Sequence, residues 1–153
     1  MVRIEVADAH SDEAQRLVAA YVAEIATTFA GGFDPTASVS AEPDEMSPPH
    51  GAFLVVRDDD GTAIGCGGVK LLDSHTAEIK RMWLAPAARG RGLGRLLLES
   101  LEEAARDLGA TEGRLDTNGD LESALALYER SGWQRTAAYN DNAYATHWFR
   151  KSL

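Results

Sequence analysis

The strongest constraint on how this chain folds is the loop of residues 89–95, which reads Arg-Gly-Arg-Gly-Leu-Gly-Arg. A strand-like run from Ile79 to Leu84 precedes it, and apolar residues with helical spacing follow from Leu93. Glycine allows a backbone to approach a ligand closely, and the unpaired N–H groups at a helix N-terminus attract anions. The loop is therefore predicted to bind a phosphate group. The alternative is a helix entry that carries solvated arginines.

The glycine spacing narrows the class of phosphate ligand. Gly90, Gly92 and Gly94 alternate with other residues, whereas a Rossmann dinucleotide loop reads G-x-G-x-x-G early in a βαβ unit. A Walker loop ends in Gly-Lys-Ser/Thr, which does not follow here. The pattern Arg89-x-x-Gly92-x-Gly94 fits neither of these nucleotide loops.

This pattern resembles the pyrophosphate loop Gln/Arg-x-x-Gly-x-Gly/Ala of the GNAT superfamily of acyl-CoA-dependent N-acyltransferases. Two flanking segments are also similar to that superfamily: Glu78 to Pro86 before the loop, and Ala126 to Trp133 after it. The resemblance runs from about Phe53 to Leu153 and is weaker before that. The combination of three motifs is specific, although no single one would be.

Composition bounds the class of protein. The 153 residues are expected to form one domain, 1–153, and no apolar run approaches the ~20 residues needed to span a membrane. We see no signal peptide, and the single cysteine, Cys66, suits the reducing cytoplasm. A net charge of −9 argues against nucleic-acid binding. We therefore expect a cytoplasmic protein that binds neither nucleic acid nor membrane.

The order of predicted elements indicates an α+β fold (α/β three-layer): a mixed, mostly antiparallel sheet of about six to seven strands, flanked by helices. The GNAT resemblance implies the same order. Ser11 is predicted to cap a first helix that ends at Gly31-Gly32, and the proline-rich segment 34–50 is predicted to be mainly loop. The predicted strands cover 3–7, 51–57, 62–72, 76–84, 113–117, about 133–139 and 146–151, and the later helices cover 93–108 and 120–130.

The resemblance implies acetyl-CoA as co-substrate and suggests which residues contact it. Backbone amides of Gly90, Arg91, Gly92, Leu93, Gly94 and Arg95 are candidates for the pyrophosphate. The backbone of Met82, Trp83 and Leu84 is implied to bind the pantetheine arm like an added strand, although these residues could also be ordinary strand core. Arg89, Arg91 or Arg95 could meet the ribose phosphate.

Asn118 marks a departure from the family pattern. Many members carry a cofactor-contacting asparagine about seven residues before the tyrosine, and here that position is Leu121. We include Asn118 as a cofactor contact. The alternative is a turn residue, with Asp120 as the N-cap of the next helix.

Tyr128 is the preferred catalytic residue. It follows Leu121, Ala124 and Leu125 on one helical face, so a core tyrosine is the alternative. A tyrosine at this family position usually lies beside the cofactor sulfur, where a phenol can protonate the departing thiolate.

An acceptor amine is protonated at neutral pH and must lose a proton before attack. Glu78, the preferred base, and Asp116 on the neighbouring strand are the candidates. The resemblance does not choose between them, because members use acids from either strand. The alternative for each is a structural salt bridge with Lys80, Arg81 or Arg114.

The segment from Tyr139 to Phe149 is rich in aromatic and polar groups. By resemblance it borders the acceptor site, so Tyr139, Asn142 and Tyr144 are candidates for substrate binding. The alternative is an aromatic hairpin that packs on the core or on a second subunit, and a homodimer through the last strands is one possibility. The four histidines lack metal-ligand spacing, so we expect no metal, and Cys66 is expected to be buried and inert.

Together these features predict an acetyl-CoA-dependent N-acetyltransferase that acts on a small-molecule primary amine by direct attack in a ternary complex. One alternative is a non-catalytic acyl-CoA-binding sensor, which needs the loop but neither Tyr128 nor a nearby carboxylate. Another is a protein N-terminal or lysine acetyltransferase, which would need a groove wide enough for a peptide.

Overall fold

Seven strands form one mixed sheet in the computed structural model, which describes residues 1–34 and 41–153. In sheet order the strands are β1 (Arg3–Ala7), β2 (Gly51–Arg57), β3 (Ala63–Leu71), β4 (Thr76–Leu84), β5 (Glu112–Thr117), β7 (His147–Ser152) and β6 (Gln134–Thr136). Neighbouring strands are antiparallel except β4 and β5, which are parallel. The predicted α+β class and mixed, mostly antiparallel sheet are confirmed.

The α-helices of the described residues lie on both faces of this sheet. They are α1 (Asp12–Thr28), α2 (Leu93–Asp107) and α3 (Glu122–Arg130). Successive side chains of a strand point to opposite faces, and β2 shows the division. Leu54 and Val56 pack in the cluster that holds the leucines of α2, whereas Phe53 and Val55 pack with Ala14 and Leu17 of α1.

Most predicted boundaries agree with the structure to within two residues, and the strands at 51–57 and 76–84 agree at both ends. Ser11 caps α1 as predicted, because its Oγ accepts a hydrogen bond of 3.1 Å from the Ala14 N–H. The helix ends at Thr28 rather than at Gly31-Gly32. Phe29 is already extended, and its ring packs against Phe33 and Tyr144.

Three further predictions need correction or restriction. Asp120 is not a helix cap: the Asn118 Oδ1 accepts from the Asp120 N–H at 2.8 Å, and this turn delays α3 to Glu122. The strand predicted at 133–139 is only Gln134–Thr136, since the chain then turns inward toward the site. The predicted loop 34–50 contains a short 3₁₀ helix, Pro43–Met46, and its residues 35–40 lie outside the described part.

Candidate active site

The parallel strands β4 and β5 separate halfway along their length. They pair at Thr76 with Glu112, at Ala77 with Gly113 and at Glu78 with Arg114, and no later pair joins them in the described chain. β4 continues to Leu84 and remains paired with β3 on its other side. The edge of β4 that faces β5 is therefore available, beyond Glu78, for hydrogen bonds with a ligand.

A bulge distorts β4 at the same place. The register slips between Cys66 and Gly68 of β3, opposite Arg81 and Met82, and Arg81 adopts a left-handed conformation with φ 56°. Left-handed backbone is uncommon outside glycine, and bulges often redirect side chains next to active sites. Here Lys80, Arg81 and Met82 all contribute to the wall of one cavity.

A cleft of about 620 Å³ opens between the end of β4, the start of α2, α3 and one side of α1. It is lined by most residues that the sequence predicted for the cofactor: Met82, Trp83, Leu84, Arg89, Gly90, Gly92, Leu93, Gly94, Arg95 and Tyr128. Arg91 and Asn118 are not in this lining. Arg91 instead pairs with Asp58, 3.3 Å from Nη2 to Oδ1, and Asn118 lines a neighbouring chamber.

The start of α2 presents backbone to this cleft. Gly92 is the N-cap residue, with φ 76° and no side-chain cap, and Gly90 also has a positive φ. The first turn of α2 carries no acidic residue. Uncapped N–H groups and the positive end of the helix dipole therefore face the cleft, an arrangement that suits a phosphate.

The arginines around the cleft differ in how they are engaged. The Arg89 Nη2 is held by the Glu24 carboxylate at 2.6 Å and by the Leu84 carbonyl oxygen at 2.9 Å. Arg95 is 75% exposed and pairs with Glu99 of its own helix. Arg130 also lines the cleft and has no ion-pair partner among the described residues. Arg130, and Arg95 on leaving its exposed pair with Glu99, can thus turn toward a ligand.

A smaller chamber of about 80 Å³ adjoins the cleft. The two share Tyr21, Ile25, Met82, Leu121, Ala124 and Tyr128 as common walls. The remaining walls of the chamber are Phe29, Phe33, Ile79, Lys80, Arg81, Asp116, Thr117, Asn118, Asn142, Tyr144 and Ala145. A ligand in the cleft and a second ligand in the chamber would therefore meet at the shared walls.

Tyr128 belongs to this junction. Its side chain is buried from solvent, with the hydroxyl 4.0 Å from the Met82 Sδ and the ring 5.9 Å from that of Phe149. Burial raises the pKa of Tyr128 well above its usual value, and the nearby Tyr21 and Asp116 raise it further. The phenol is therefore protonated at neutral pH and can act as a proton donor.

Among the described residues, Asp116 is the one acidic residue that lines the chamber. Its side chain is 7% exposed. Its Oδ2 accepts from the Asn140 Nδ2 at 2.6 Å and its Oδ1 from the Asn142 Nδ2 at 3.1 Å, while the Lys80 ammonium lies 4.0 Å away. The two amides orient the carboxylate.

Glu78 lies outside both cavity linings. It is fully buried, and its Oε2 accepts hydrogen bonds from the Tyr139 hydroxyl and, at 3.4 Å, from the Asn140 Nδ2. Its Oε1 has no hydrogen bond within the described structure and lies 3.8 and 3.9 Å from the ammonium groups of Lys70 and Lys80. Burial raises the pKa of Glu78, although the charge of Lys80 opposes this rise.

Two of the three residues predicted to bind the acceptor line the chamber, and the third does not. Asn142 and Tyr144 line the chamber, whereas Tyr139 points to Glu78 outside it. Sequence reasoning missed the contribution of α1 and of the residue that follows it. Tyr21, Glu24 and Ile25 of α1, and Phe29 just after the helix, reach one or both cavities. Helical periodicity predicts that α1 buries one face, but it does not indicate which strands that face meets.

Metal and thiol chemistry have little support in the described part of the chain. No group of three or more His, Cys, Asp or Glu residues is arranged there to hold a metal ion. Cys66 is fully buried, its Sγ donates to the Arg81 carbonyl oxygen at 3.4 Å, and burial raises the pKa of the thiol to about 12. None of the helices in the described residues has the length and apolar character to cross a bilayer.

Comparison with known families gives one extended match. Residues 19–133 match the family described as Acetyltransferase (GNAT). The match includes α1 from residue 19 onward, the loop before α2 and Tyr128, so it covers every residue that lines the cleft.

Two curated relatives illustrate the sequence similarity. An uncharacterised N-acetyltransferase from Schizosaccharomyces pombe is 37% identical over 99 residues, covering 64% of this chain and 61% of that protein. An IAA acetyltransferase from Azospirillum brasilense is 37% identical over 89 residues, which is 58% of each chain. The aligned segment thus spans less than two thirds of either relative.

Solved structures cover the whole fold. A Klebsiella pneumoniae protein, provisionally assigned as an acyl-CoA N-acyltransferase, has a TM-score of 0.80 and 29% identity, and the match covers 100% of this chain and 98% of that one. A GNAT family acetyltransferase from Elizabethkingia anophelis, solved with acetyl-CoA bound, has a TM-score of 0.63 and 17% identity, covering 99% and 98% of the two chains. The second match shows the fold alone.

Proposed function

The chain belongs to the GNAT acetyltransferase family, and from that membership we propose that it transfers the acetyl group of acetyl-CoA to a primary amine of a small molecule. The observation that carries the proposal is the position of Tyr128. This protonated phenol lies in the wall shared by a cleft with an anion-binding helix start and a chamber with a carboxylate. The two reactants would meet in a ternary complex, and positioning them would be the main source of catalysis.

The cleft provides a place for each part of the cofactor. Its volume, about 620 Å³, is within the range of natural small-molecule sites. The pyrophosphate would bind the backbone amides between Gly90 and Arg95, and Arg95 or Arg130 would bind the ribose phosphate. The pantetheine amides would pair with the free edge of β4 at Met82 and Trp83. The neighbour from Elizabethkingia anophelis, with acetyl-CoA bound, agrees with this choice of co-substrate.

We assign the base to Asp116 in preference to Glu78. The amine would lie in the chamber, where Asp116 is part of the wall and Glu78 is not. In the reaction the amine nitrogen loses a proton to Asp116 and attacks the thioester carbonyl carbon. Backbone N–H groups near Leu84 polarise the carbonyl. The C–S bond then breaks, and the CoA sulfur takes its proton from Tyr128. The nitrogen loses its second proton as the amide forms, and this proton restores the Tyr128 hydroxyl, while Asp116 passes the first proton to solvent.

The size of the chamber favours a small acceptor over a peptide. Its volume of about 80 Å³ would hold roughly five to eight water-sized groups. A protein N-terminal or lysine acetyltransferase would need an open groove to accommodate the backbone on either side of the amine. We therefore retain the small-molecule amine as the acceptor class.

Release of free thiol from acetyl-CoA, measured across a panel of amines and short peptides, tests the proposal. The panel includes alkylamines, amino acids, polyamines and amine-bearing aromatics. The proposal predicts acetyl-CoA binding by calorimetry and thiol release that depends on one class of small amine. Tight binding without release by any amine would indicate the sensor. Release with peptides alone would indicate the protein-directed enzyme, and failure to bind acetyl-CoA would contradict the whole assignment.

A further inference from the structure

The inner chamber has more positive than negative charge in its wall. The charged residues that line it, in the described chain, are Lys80, Arg81 and Asp116. Behind Lys80 and outside the lining, Lys70 lies between two carboxylates, 3.3 Å from the Glu45 Oε2 and 3.8 Å from the Glu78 Oε1. The lining therefore contains one cation more than anions, although the whole chain carries a net charge of −9.

Arg81 is the cation without a counter-charge. No carboxylate of the described residues lies within ion-pair distance of its guanidinium, and its Nε is buried without a hydrogen-bond partner. Its near neighbour is Tyr21, a neutral group whose ring centroid is 5.9 Å from the Arg81 Cζ and whose hydroxyl interacts with the guanidinium. An unpaired guanidinium that is partly removed from water is costly, because it loses solvation without gaining an opposite charge. A ligand anion would remove that cost.

The ammonium group of Lys80, the residue next to Arg81, can donate further hydrogen bonds. Its side chain is only 7% exposed, and its ammonium lies 3.9 Å from the Glu78 Oε1 and 4.0 Å from the Asp116 Oδ1. Both distances exceed the length of a hydrogen bond. The bulge of β4, with Arg81 at φ 56°, brings these two consecutive side chains to the same chamber instead of to opposite faces of the sheet.

We infer that the acceptor carries a carboxylate as well as an amine, and that Arg81, assisted by Lys80, binds this carboxylate. Guanidinium groups bind carboxylates through two parallel hydrogen bonds, and such charge-assisted bonds are strongest away from water. The amine of the same molecule would lie toward Asp116. Small amino acids are the class that presents both groups within a chamber of about 80 Å³. This inference rests on the proposed acetyl transfer and specifies its substrate class.

N-acetyl amino acids, the products of such a reaction, provide a direct test of binding. Each acid is compared with its uncharged amide, because the two share shape and differ in the carboxylate. N-acetylglycine, N-acetylalanine and N-acetylserine are titrated against the protein with CoA present, and dissociation constants are obtained from the rise in Tm. We expect at least one acid to bind tenfold or more tightly than its amide. Equal binding of every acid and its amide would overturn the inference.

Two variants locate the preference for the acid. In Arg81→Gln the acid-to-amide preference should fall at least tenfold, and in Arg81→Lys, which keeps the charge, part of it should return. Arg106→Gln is the matched control: it removes the same charge from the surface of α2, where Arg106 pairs with Glu103 at 3.2 Å. A preference that survives Arg81→Gln, or that Arg106→Gln removes equally, would contradict the site.

Thiol release separates this inference from the proposed function. If carboxylate-free amines are acetylated while the acids do not bind preferentially, the enzyme is correct and the anion site is wrong. If the acids bind through Arg81 but no amine releases thiol, the anion site is correct and acetyl transfer is wrong. If the protein acetylates amines and also binds the acids through Arg81, the ratio of kcat/KM for alanine to kcat/KM for ethylamine should fall at least tenfold in Arg81→Gln.

Discussion

The Tyr139 hydroxyl donates a hydrogen bond to the buried carboxylate of Glu78. This contact lies outside the chamber, and Asn140 connects it to the chamber wall by donating to both Glu78 and Asp116. The Asn140 Oδ1 in turn accepts from the Trp148 Nε1 at 3.0 Å, which fixes the amide. Two carboxylates on neighbouring strands are thereby given different surroundings, one facing the chamber and one enclosed.

Their different positions predict different effects of removing each charge. Asp116→Asn should lower kcat about a hundredfold or more, which is the scale of general-base catalysis, with little change in the dissociation constant for acetyl-CoA. Glu78→Gln should lower kcat less than tenfold. Steady-state rates of thiol release, with acetyl-CoA binding by calorimetry, measure both. A larger loss in Glu78→Gln than in Asp116→Asn would return the role of base to Glu78.

Glu78 also predicts how stability depends on pH. Burial raises its pKa in the folded protein, so between its unfolded pKa of about 4.3 and the raised folded value the native state binds more protons than the unfolded state. The stability that this group contributes is complete below the unfolded pKa and is lost as pH rises through the folded pKa. Relative to Glu78→Gln, the wild type should therefore lose free energy of unfolding as pH rises.

Urea denaturation of the wild type and Glu78→Gln at several pH values between 5 and 8 measures this difference. The difference in free energy of unfolding between the two proteins is used because the titration of all other groups is common to both and cancels. A free-energy difference that is constant with pH, or that moves in favour of the wild type as pH rises, would show that the Glu78 pKa is not raised.

The backbone conformation of Gly92 leads us to expect that a substitution there affects both stability and acetyl-CoA binding. It has φ 76° at the start of α2, and no atom lies near the position of an added Cβ. Gly92→Ala should therefore cost about 1–2 kcal/mol of stability through backbone strain alone, and should weaken acetyl-CoA binding severalfold. Gly61→Ala is the control, since Gly61 has φ 85° in the β2–β3 turn and is likewise open around its Cβ.

Both glycine variants should lose similar free energy in denaturant titrations, while only Gly92→Ala should change the dissociation constant for acetyl-CoA. If the two variants bind acetyl-CoA equally well, the start of α2 does not hold the pyrophosphate.

Local patterns were sufficient for much of the fold. β2 was predicted at both ends because its apolar run stops at the turn of residues 58–61, and β4 because a turn at residues 73–75 precedes it and Pro86 follows it. The glycines before α2 marked the start of that helix. Asp120 misled the prediction of α3, since the Asn118 side chain makes a competing turn there. Periodicity could not decide whether Glu78 or Asp116 is the base. Which of the two lines the chamber depends on where β4 and β5 separate, and this is a property of the folded sheet.

Cys66 predicts that transfer does not pass through an acetylated thiol. The residue is fully buried, absent from both cavity linings, and burial raises its pKa to about 12, so it supplies almost no thiolate at neutral pH. Cys66→Ala should keep kcat within threefold and lose about 1 kcal/mol of stability. Intact mass after incubation with acetyl-CoA should show no acetyl adduct. An adduct on the wild type that Cys66→Ala abolishes would establish a two-step mechanism.

The most direct test of the account is Tyr128→Phe, which removes one hydroxyl from the junction of the two cavities. Burial raises the Tyr128 pKa, so the phenol is expected to remain protonated and active across the neutral and mildly alkaline range. We predict that Tyr128→Phe lowers kcat for thiol release at least tenfold, while the dissociation constant for acetyl-CoA and the Tm change little. Unchanged kcat with the same acceptor would show that the leaving thiolate takes its proton elsewhere, and would contradict the assignment of the junction as the site of transfer.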